Sequence, residues 1–81
     1  MKLPRDLSGE DLARYLNVVG YRISRQTGSH LRLTTEHKGE HHVTIPKHAP
    51  LRVGTLSRIL NVVAQHLEMD KQELLDTIFS D

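Results

Sequence analysis

The sequence predicts an α+β fold in which a three-stranded antiparallel sheet has helices on one face, in the order α-β-β-β-α followed by a short C-terminal helix. Three observations predict it. Apolar residues have helical spacing before position 20 and after position 53, they alternate with polar residues between these segments, and glycine-containing turns separate the alternating stretches. A chain of 81 residues has room for one core, so we expect a single domain over residues 1–81.

The first helix is predicted over residues 9–19. Ser8 and Asp11 have the spacing of a capping box, in which each side chain accepts a hydrogen bond from the other residue's amide. Apolar residues recur at three- and four-residue spacing over 12–19, and Gly20 can end the helix in the left-handed conformation. The helix therefore has one apolar face and defined ends.

Three strands follow, because the apolar period changes to two. The alternating apolar residues are Tyr21, Ile23, Leu31, Leu33, Val43 and Ile45. Two three-residue turns that end in Gly28 and Gly39 are predicted to need a positive φ at each glycine. These turns place Ile23 opposite Leu31, Tyr21 opposite Leu33, Leu33 opposite Val43 and Leu31 opposite Ile45. In this register every apolar residue lies on one face of the sheet.

Two helices complete the chain. Apolar residues at helical spacing predict the second over residues 55–67. Asp70 and Glu73 have capping-box spacing and precede a short third helix. An apolar sheet face must be covered, and the amphipathic helices are the available cover.

Composition limits the possible environments and ligands. The chain has no cysteine, which excludes disulfide scaffolds and thiolate zinc sites and favours a reducing compartment. Its apolar runs are short and residues 1–5 hold none, so we expect no membrane span or signal peptide and a cytoplasmic location. Residues 1–60 carry a formal charge of +5 and residues 61–81 carry −4, which suggests a polyanionic ligand for the basic part.

The sheet face away from the helices is predicted to be open and polar. Its side chains are Arg22, Ser24, His30, Arg32, Thr34, His42 and Thr44, with Lys47, His48 and Arg52 in the loop after the third strand. A solvated surface is one interpretation, because antiparallel sheets often have one wet face. Such surfaces usually mix both charge signs, however, and this set contains no carboxylate. The composition therefore favours binding of phosphate oxygens.

His30 is the candidate for chemistry on this face. It follows the Gly28 bend, at the rim of the face beside Ser24 and near Arg32. Cleavage of RNA needs a base for the 2′-hydroxyl proton, a cation for the developing phosphorane and an acid for the leaving oxygen. Histidine accepts protons near neutral pH. A surface histidine without a catalytic role is the alternative.

The crowded histidines also invite a metal interpretation, which the geometry disfavours. His41 and His42 are adjacent on a strand and point to opposite faces, while His37 lies in a turn. No carboxylate of the predicted face completes a ligand set. We therefore expect no metal or other cofactor, and interpret His37 and His41 as solvent-exposed turn and edge residues.

Three stretches resemble the HicA toxins of bacterial and archaeal toxin-antitoxin pairs, over about residues 3–60. They are Tyr21-Arg22 with residues 25–30, then residues 43–48, then Gly54-Thr55-Leu56 with Ile59-Leu60. The resemblance implies a double-stranded-RNA-binding-domain-like fold, mRNA cleavage and an antitoxin partner of the HicB type. It also implies that the histidine of the Gly-Ser-His motif, here His30, is catalytic. His48 matches a position that is often histidine in the family.

The sequence thus predicts a toxin that is a metal-independent endoribonuclease, an mRNA interferase, with His30 as general base. Gly28 and Ser29 would hold the histidine, and His48 could be a second one. The predicted RNA contacts are Arg22, Arg25, Arg32, Lys47 and Arg52. One alternative is an RNA-binding module of the same fold without catalysis, and another is a structural subunit of a larger complex.

Overall fold

The helices and strands occur in the predicted order. The computed structural model describes Pro4 and residues 6–48 and 50–79. The elements are α1 (Gly9–Asn17), β1 (Arg22–Gln26), β2 (His30–Thr35), β3 (His41–Pro46), α2 (Val53–Leu67) and α3 (Lys71–Phe79). The segment 1–5, in which the sequence predicts no leader, lies mostly outside the described residues.

Helix α1 has the predicted cap. The Asp11 amide donates to Ser8 Oγ at 3.1 Å, and the Ser8 amide donates to Asp11 Oδ2 at 3.2 Å. The helix ends at Asn17, two residues earlier than predicted. The chain then turns, and Gly20 has a φ of 98°, so the left-handed conformation predicted there is confirmed.

The sheet is antiparallel, with strand order β1-β2-β3. Between β2 and β3 the predicted register is confirmed, and Gly39 has a φ of 99°. Helix α1 contacts β1 and β2, α2 contacts β3, and α3 packs against α1 and α2. Leu31, Leu33 and Ile45 are fully buried beneath the helices, so the core lies on the predicted face.

The predicted register between β1 and β2 is wrong. The Thr27 amide donates to His30 O at 2.9 Å, so the turn has two central residues, Gly28 and Ser29, and the φ of Gly28 is not positive. Ile23 pairs with Leu33, and the register shifts at a β-bulge between Ile23 and Arg25. Hydrogen bonds of hydroxyl side chains to the backbone decide this turn and bulge, and apolar alternation does not reveal them.

Strand β1 is consequently more exposed than the alternation predicts. All five of its residues are exposed, and Ile23, predicted to be in the core, is 48% exposed. Tyr21, just before the strand, is fully buried. Only the start of this segment therefore contributes to the core.

The remaining helices agree closely with the prediction. Helix α2 begins at Val53, two residues earlier than predicted, and α3 begins directly after Asp70. The rings of Tyr15 and Phe79 meet edge to face at 4.8 Å, which joins α1 to α3. None of the helices in the described part of the chain has the length and apolar character needed to cross a membrane.

The start of α1 lies directly against the end of β3. A Cβ atom at Gly9 would come within 1.7 Å of Pro46 O and 3.2 Å of Lys47 Cα. The Glu10 amide donates to Lys47 O at 3.3 Å, and Ser8 forms an isolated β-bridge with Pro50. Gly9 thus allows the close approach that fixes the loop after β3, a role that the sequence analysis missed.

A histidine cluster joins the β2–β3 hairpin to α2. Burial raises the pKa of Tyr21 to about 12, and its hydroxyl lies within hydrogen-bonding distance of Nδ1 of His41, at 2.7 Å. The rings of His41 and His66 stack at 4.3 Å. His66 Nε2 donates to His37 O and Gly39 O, both at 3.0 Å. The interpretation of His41 as a solvent-exposed edge residue is therefore wrong, because its ring is partly enclosed by Tyr21 and His66.

Replacing Gly9 with alanine should destabilise the protein, because the added methyl group overlaps the Pro46 carbonyl. We expect a loss of at least about 1 kcal/mol in the free energy of unfolding, measured by urea denaturation. Gly54→Ala is the matched control, since nothing lies within 4 Å of its Cβ position and alanine favours helix. Equal stability of the Gly9→Ala variant and the parent would contradict the close approach.

Stability should fall as the pH decreases through the unfolded-state pKa of histidine, about 6.5. Burial, followed by the charges of His66 and His42, lowers the pKa of His41 in the folded protein. The unfolded chain therefore takes up this proton first. We expect His41→Phe, which keeps a stacking ring, to lose less stability than the parent between pH 7.5 and pH 5. His37→Gln is the control, and an unchanged pH dependence in His41→Phe would refute this assignment.

Candidate functional site

The face of the sheet away from the helices carries the predicted polar side chains. Register pairs Arg22 with Thr34, Thr34 with His42, and Arg32 with Thr44 across the three strands. Most of these side chains are exposed, but Thr34 is buried beneath its neighbours. No helix in the described residues covers this face, which leaves it accessible to a large ligand.

The turn before β2 orients His30. Thr27 Oγ1 accepts hydrogen bonds from the amides of Ser29, at 3.3 Å, and His30, at 3.0 Å. Ser29 Oγ lies 3.0 Å from His30 Nδ1, while the rest of the imidazole is exposed. The sequence analysis missed Thr27, although a threonine two residues before Ser29 is a signal for this kind of turn.

The loop after β3 holds the same turn from the other side. The Lys47 amide donates to Ser29 O at 2.9 Å. His48 Nε2 lies 3.1 Å from Gly28 O, and because a carbonyl only accepts, this nitrogen carries the proton. Both turn carbonyls are therefore bound by this loop, and His48 contacts the backbone of the turn beside His30.

A cavity of about 250 Å³ lies beside His30. Its lining consists of Arg25, Gln26, Thr27, His30, Arg32 and Thr44. Arg25 is directly opposite Arg32 across β1 and β2. The structure thus brings three of the predicted site residues, His30, Arg25 and Arg32, to one cavity, and the others lie outside its lining.

The polar side chains outside this cavity have different surroundings. Arg22 lies 3.9 Å from Glu36, and His42 Nε2 lies 3.0 Å from Glu40 Oε2. Both carboxylates belong to the hairpin between β2 and β3, so the face is not free of carboxylates at this end. Lys47 and Arg52 lie in the loop after β3, where Arg52 is exposed at the start of α2.

The site offers an exposed imidazole beside two guanidinium groups. An imidazole can accept a proton near neutral pH, and guanidinium groups bind phosphate oxygens in pairs of hydrogen bonds. Within residues 6–48 and 50–79, no three histidine, aspartate or glutamate side chains converge as metal ligands would. An imidazole and two guanidinium groups at one cavity are suited to proton transfer beside an anionic group.

One comparison with known proteins gave a match for this chain. Residues 9–64 match the model of a family described as the HicA toxin of bacterial toxin-antitoxin systems. Neither curated proteins nor solved structures gave a match. The matched residues include the three strands, the turn that carries His30 and most of α2. More than half of the sequence is covered, and the chain belongs to the HicA toxin family.

Proposed function

We propose that this toxin is a metal-independent endoribonuclease that cleaves mRNA in the cytoplasm, with His30 as the general base. The observation that carries the proposal is the exposed His30 ring at a cavity whose two charged neighbours, Arg25 and Arg32, are both cations. Membership of a toxin family supports the same conclusion. The residues supply a proton acceptor and a phosphate site in one place.

The proposed reaction uses the RNA 2′-hydroxyl as nucleophile. Ser29 Oγ lies 3.0 Å from His30 Nδ1, and in the tautomer whose Nδ1–H donates to this hydroxyl, Nε2 is free to accept the 2′-hydroxyl proton. The 2′-oxygen bonds to phosphorus, the bond to the 5′-oxygen breaks, and that oxygen takes a proton from a water molecule. The hydroxide that remains takes the proton from His30, which restores the base. The products are a 2′,3′-cyclic phosphate and a 5′-hydroxyl. Arg25 and Arg32 stabilise the added negative charge in the transition state.

His48 is proposed to position the catalytic histidine rather than to replace it. Its Nε2 donates to Gly28 O, and Ser29 contacts His30 Nδ1. A loosened turn would displace the ring of His30 relative to the cavity. Misplacement by about 1 Å reduces rates strongly in enzymes generally.

The remaining cations are proposed to contact RNA beyond the cleaved phosphate. Lys47 and Arg52 follow β3 on the side of the turn, and Arg22 lies at the other end of β1. Exposed ion pairs are weak, so Glu36 would not prevent Arg22 from contacting a phosphate. These contacts would add affinity without sequence preference.

A non-catalytic RNA-binding module is the second candidate. One observation favours it: Ser29 is the one side chain in the described residues that hydrogen-bonds to the His30 ring, so no carboxylate orients the ring. An imidazolium can bind phosphate without transferring a proton. Cleavage of RNA by the purified protein separates the two candidates.

Replacing His30 with alanine removes the proton acceptor and leaves the cationic side chains. We expect cleavage to fall by about a hundredfold or more, while RNA affinity changes little.

His48→Gln keeps a donor for Gly28 O and should retain more activity than His48→Ala. EDTA should leave the parent rate unchanged. Full activity of His30→Ala, or loss in EDTA that added Mg²⁺ restores, would refute the mechanism.

The family also supports an antitoxin partner, and we propose one of the HicB type that covers the cationic face. Carboxylates of the partner would pair with Arg32, Lys47 and Arg52 and compete with RNA phosphates. Charge complementarity of this kind accelerates association. The acidic segment 61–81 is the alternative docking surface.

Arg32→Glu should weaken antitoxin binding and slow association, because it places a carboxylate opposite the proposed carboxylates of the partner. Association with the parent should also slow as salt rises. Glu73→Lys, an exposed position on α3, is the matched control and should bind as the parent does. Association rates measured at two salt concentrations test both expectations. Loss of binding in Glu73→Lys alone would identify the acidic segment as the docking surface.

A further inference from the structure

The β-bulge in β1 changes which face carries Arg25. Strict alternation from Arg22 would place Arg25 on the helix side, with Ile23. The paired residues are instead Ile23 with Leu33 and Arg25 with Arg32, so Ser24 is the extra residue. Bulges re-aim the side chains that follow them. Here the bulge brings Arg25 to the open face, directly across from Arg32.

A chain of four side chains holds the bulge. Ser24 Oγ lies 3.2 Å from Arg32 O and 2.6 Å from Thr34 Oγ1. Thr34 Oγ1 lies 2.7 Å from His42 Nδ1, and His42 Nε2 lies 3.0 Å from Glu40 Oε2. The chain crosses all three strands and ends at a carboxylate.

The carboxylate sets the direction of every proton in this chain. Glu40 only accepts, so His42 Nε2 donates to it and, in the neutral ring, Nδ1 accepts from the Thr34 hydroxyl. The single hydroxyl proton of Ser24 is then shared between Thr34 Oγ1, at 2.6 Å, and Arg32 O, at 3.2 Å. Because Thr34 is buried, the loss of a partner would leave a polar atom unsatisfied, so the chain resists rearrangement of the bulge.

Within residues 6–48 and 50–79, the two arginines brought together by the bulge have no acidic partner. Like charges directly opposite in a sheet are destabilising. Arg22 and His42 have carboxylates within 4.0 Å, whereas within the described residues neither Arg25 nor Arg32 has one. The cavity that they share holds hydroxyl, amide and imidazole groups in addition. A bound anion would relieve the repulsion.

We propose that Arg25 and Arg32 form a binding site for one phosphate group, and that Ser24, through Thr34 and His42, is the positioning residue that builds it. The inference rests on the proposed function in that the phosphate would be the one cleaved beside His30. Binding itself needs no catalysis. Free phosphate and an RNA phosphodiester share the chemistry that the site recognises, namely tetrahedral oxyanions that accept paired guanidinium hydrogen bonds.

The test measures binding of a 2′-O-methyl RNA oligonucleotide, which has no free 2′-hydroxyl to act as nucleophile and therefore stays intact. Arg25→Gln should bind the oligonucleotide about tenfold more weakly. Its slope of log affinity against log salt concentration, here called the salt slope, should be smaller by about one. Ser24→Ala should reproduce much of both losses although it removes no charge. Ser24→Thr, which keeps the hydroxyl, should restore binding. Arg14→Gln, on α1 and paired with Asp11, is the control and should bind as the parent does.

Inorganic phosphate at constant ionic strength is the second probe. It should displace the oligonucleotide from the parent and not from Arg25→Gln. Parent-like affinity and salt slope in Ser24→Ala would overturn the positioning role. If Ser24→Ala does not fold, the affinities of Arg25→Gln, Arg32→Gln and the double variant are compared instead. Losses of binding free energy that are strictly additive would overturn the shared site. A parent that binds in this Ser24-dependent way without cleaving RNA would refute the proposed function alone.

Discussion

The burial of Leu31 and Leu33 is the constraint on which the site depends. Both side chains are enclosed between β2 and the helices, so the alternate residues His30 and Arg32 must point the other way. A shift of β2 by one residue would bury these two polar side chains and expose two leucines, at a cost of several kcal/mol. The hydrophobic core therefore fixes the orientation of the candidate catalytic histidine, although the core does not touch it.

The sequence predicts this part of the fold well, because burial produces a periodic signal. The register between β2 and β3, the cap at Ser8 and the left-handed Gly20 all follow from short-range rules. The register of β1 does not, because Ser24 and Thr27 decide it with hydroxyl hydrogen bonds. Ile23 has the spacing of a core residue but lies exposed on an edge strand, where an apolar residue is tolerated. The close approach at Gly9 is a tertiary contact and has no periodic signal.

The candidate site is predictable in its residue types and less so in its electrostatics. Alternation identifies His30 and Arg32, but the bulge adds Arg25, which alternation assigns to the other face. Counting face residues also overlooks Glu36 and Glu40, which reach the face from the adjoining hairpin. Glu36 lies beside Arg22 and Glu40 lies beside His42, whereas Arg25 and Arg32, at the end of the sheet that carries His30, have no carboxylate within 4.0 Å in the described part of the chain.

A small chain without disulfides has little burial with which to hold an exposed site. Here hydrogen bonds perform that task, since Thr27, Lys47 and His48 all bind the turn formed by Gly28 and Ser29. The backbone carbonyl of Lys47 in turn accepts a hydrogen bond from the amide of Glu10 at the start of α1. The packing of α1 against the end of β3 therefore helps to hold the turn that carries His30. An accessible imidazole can thus keep a defined orientation at the surface of a small protein.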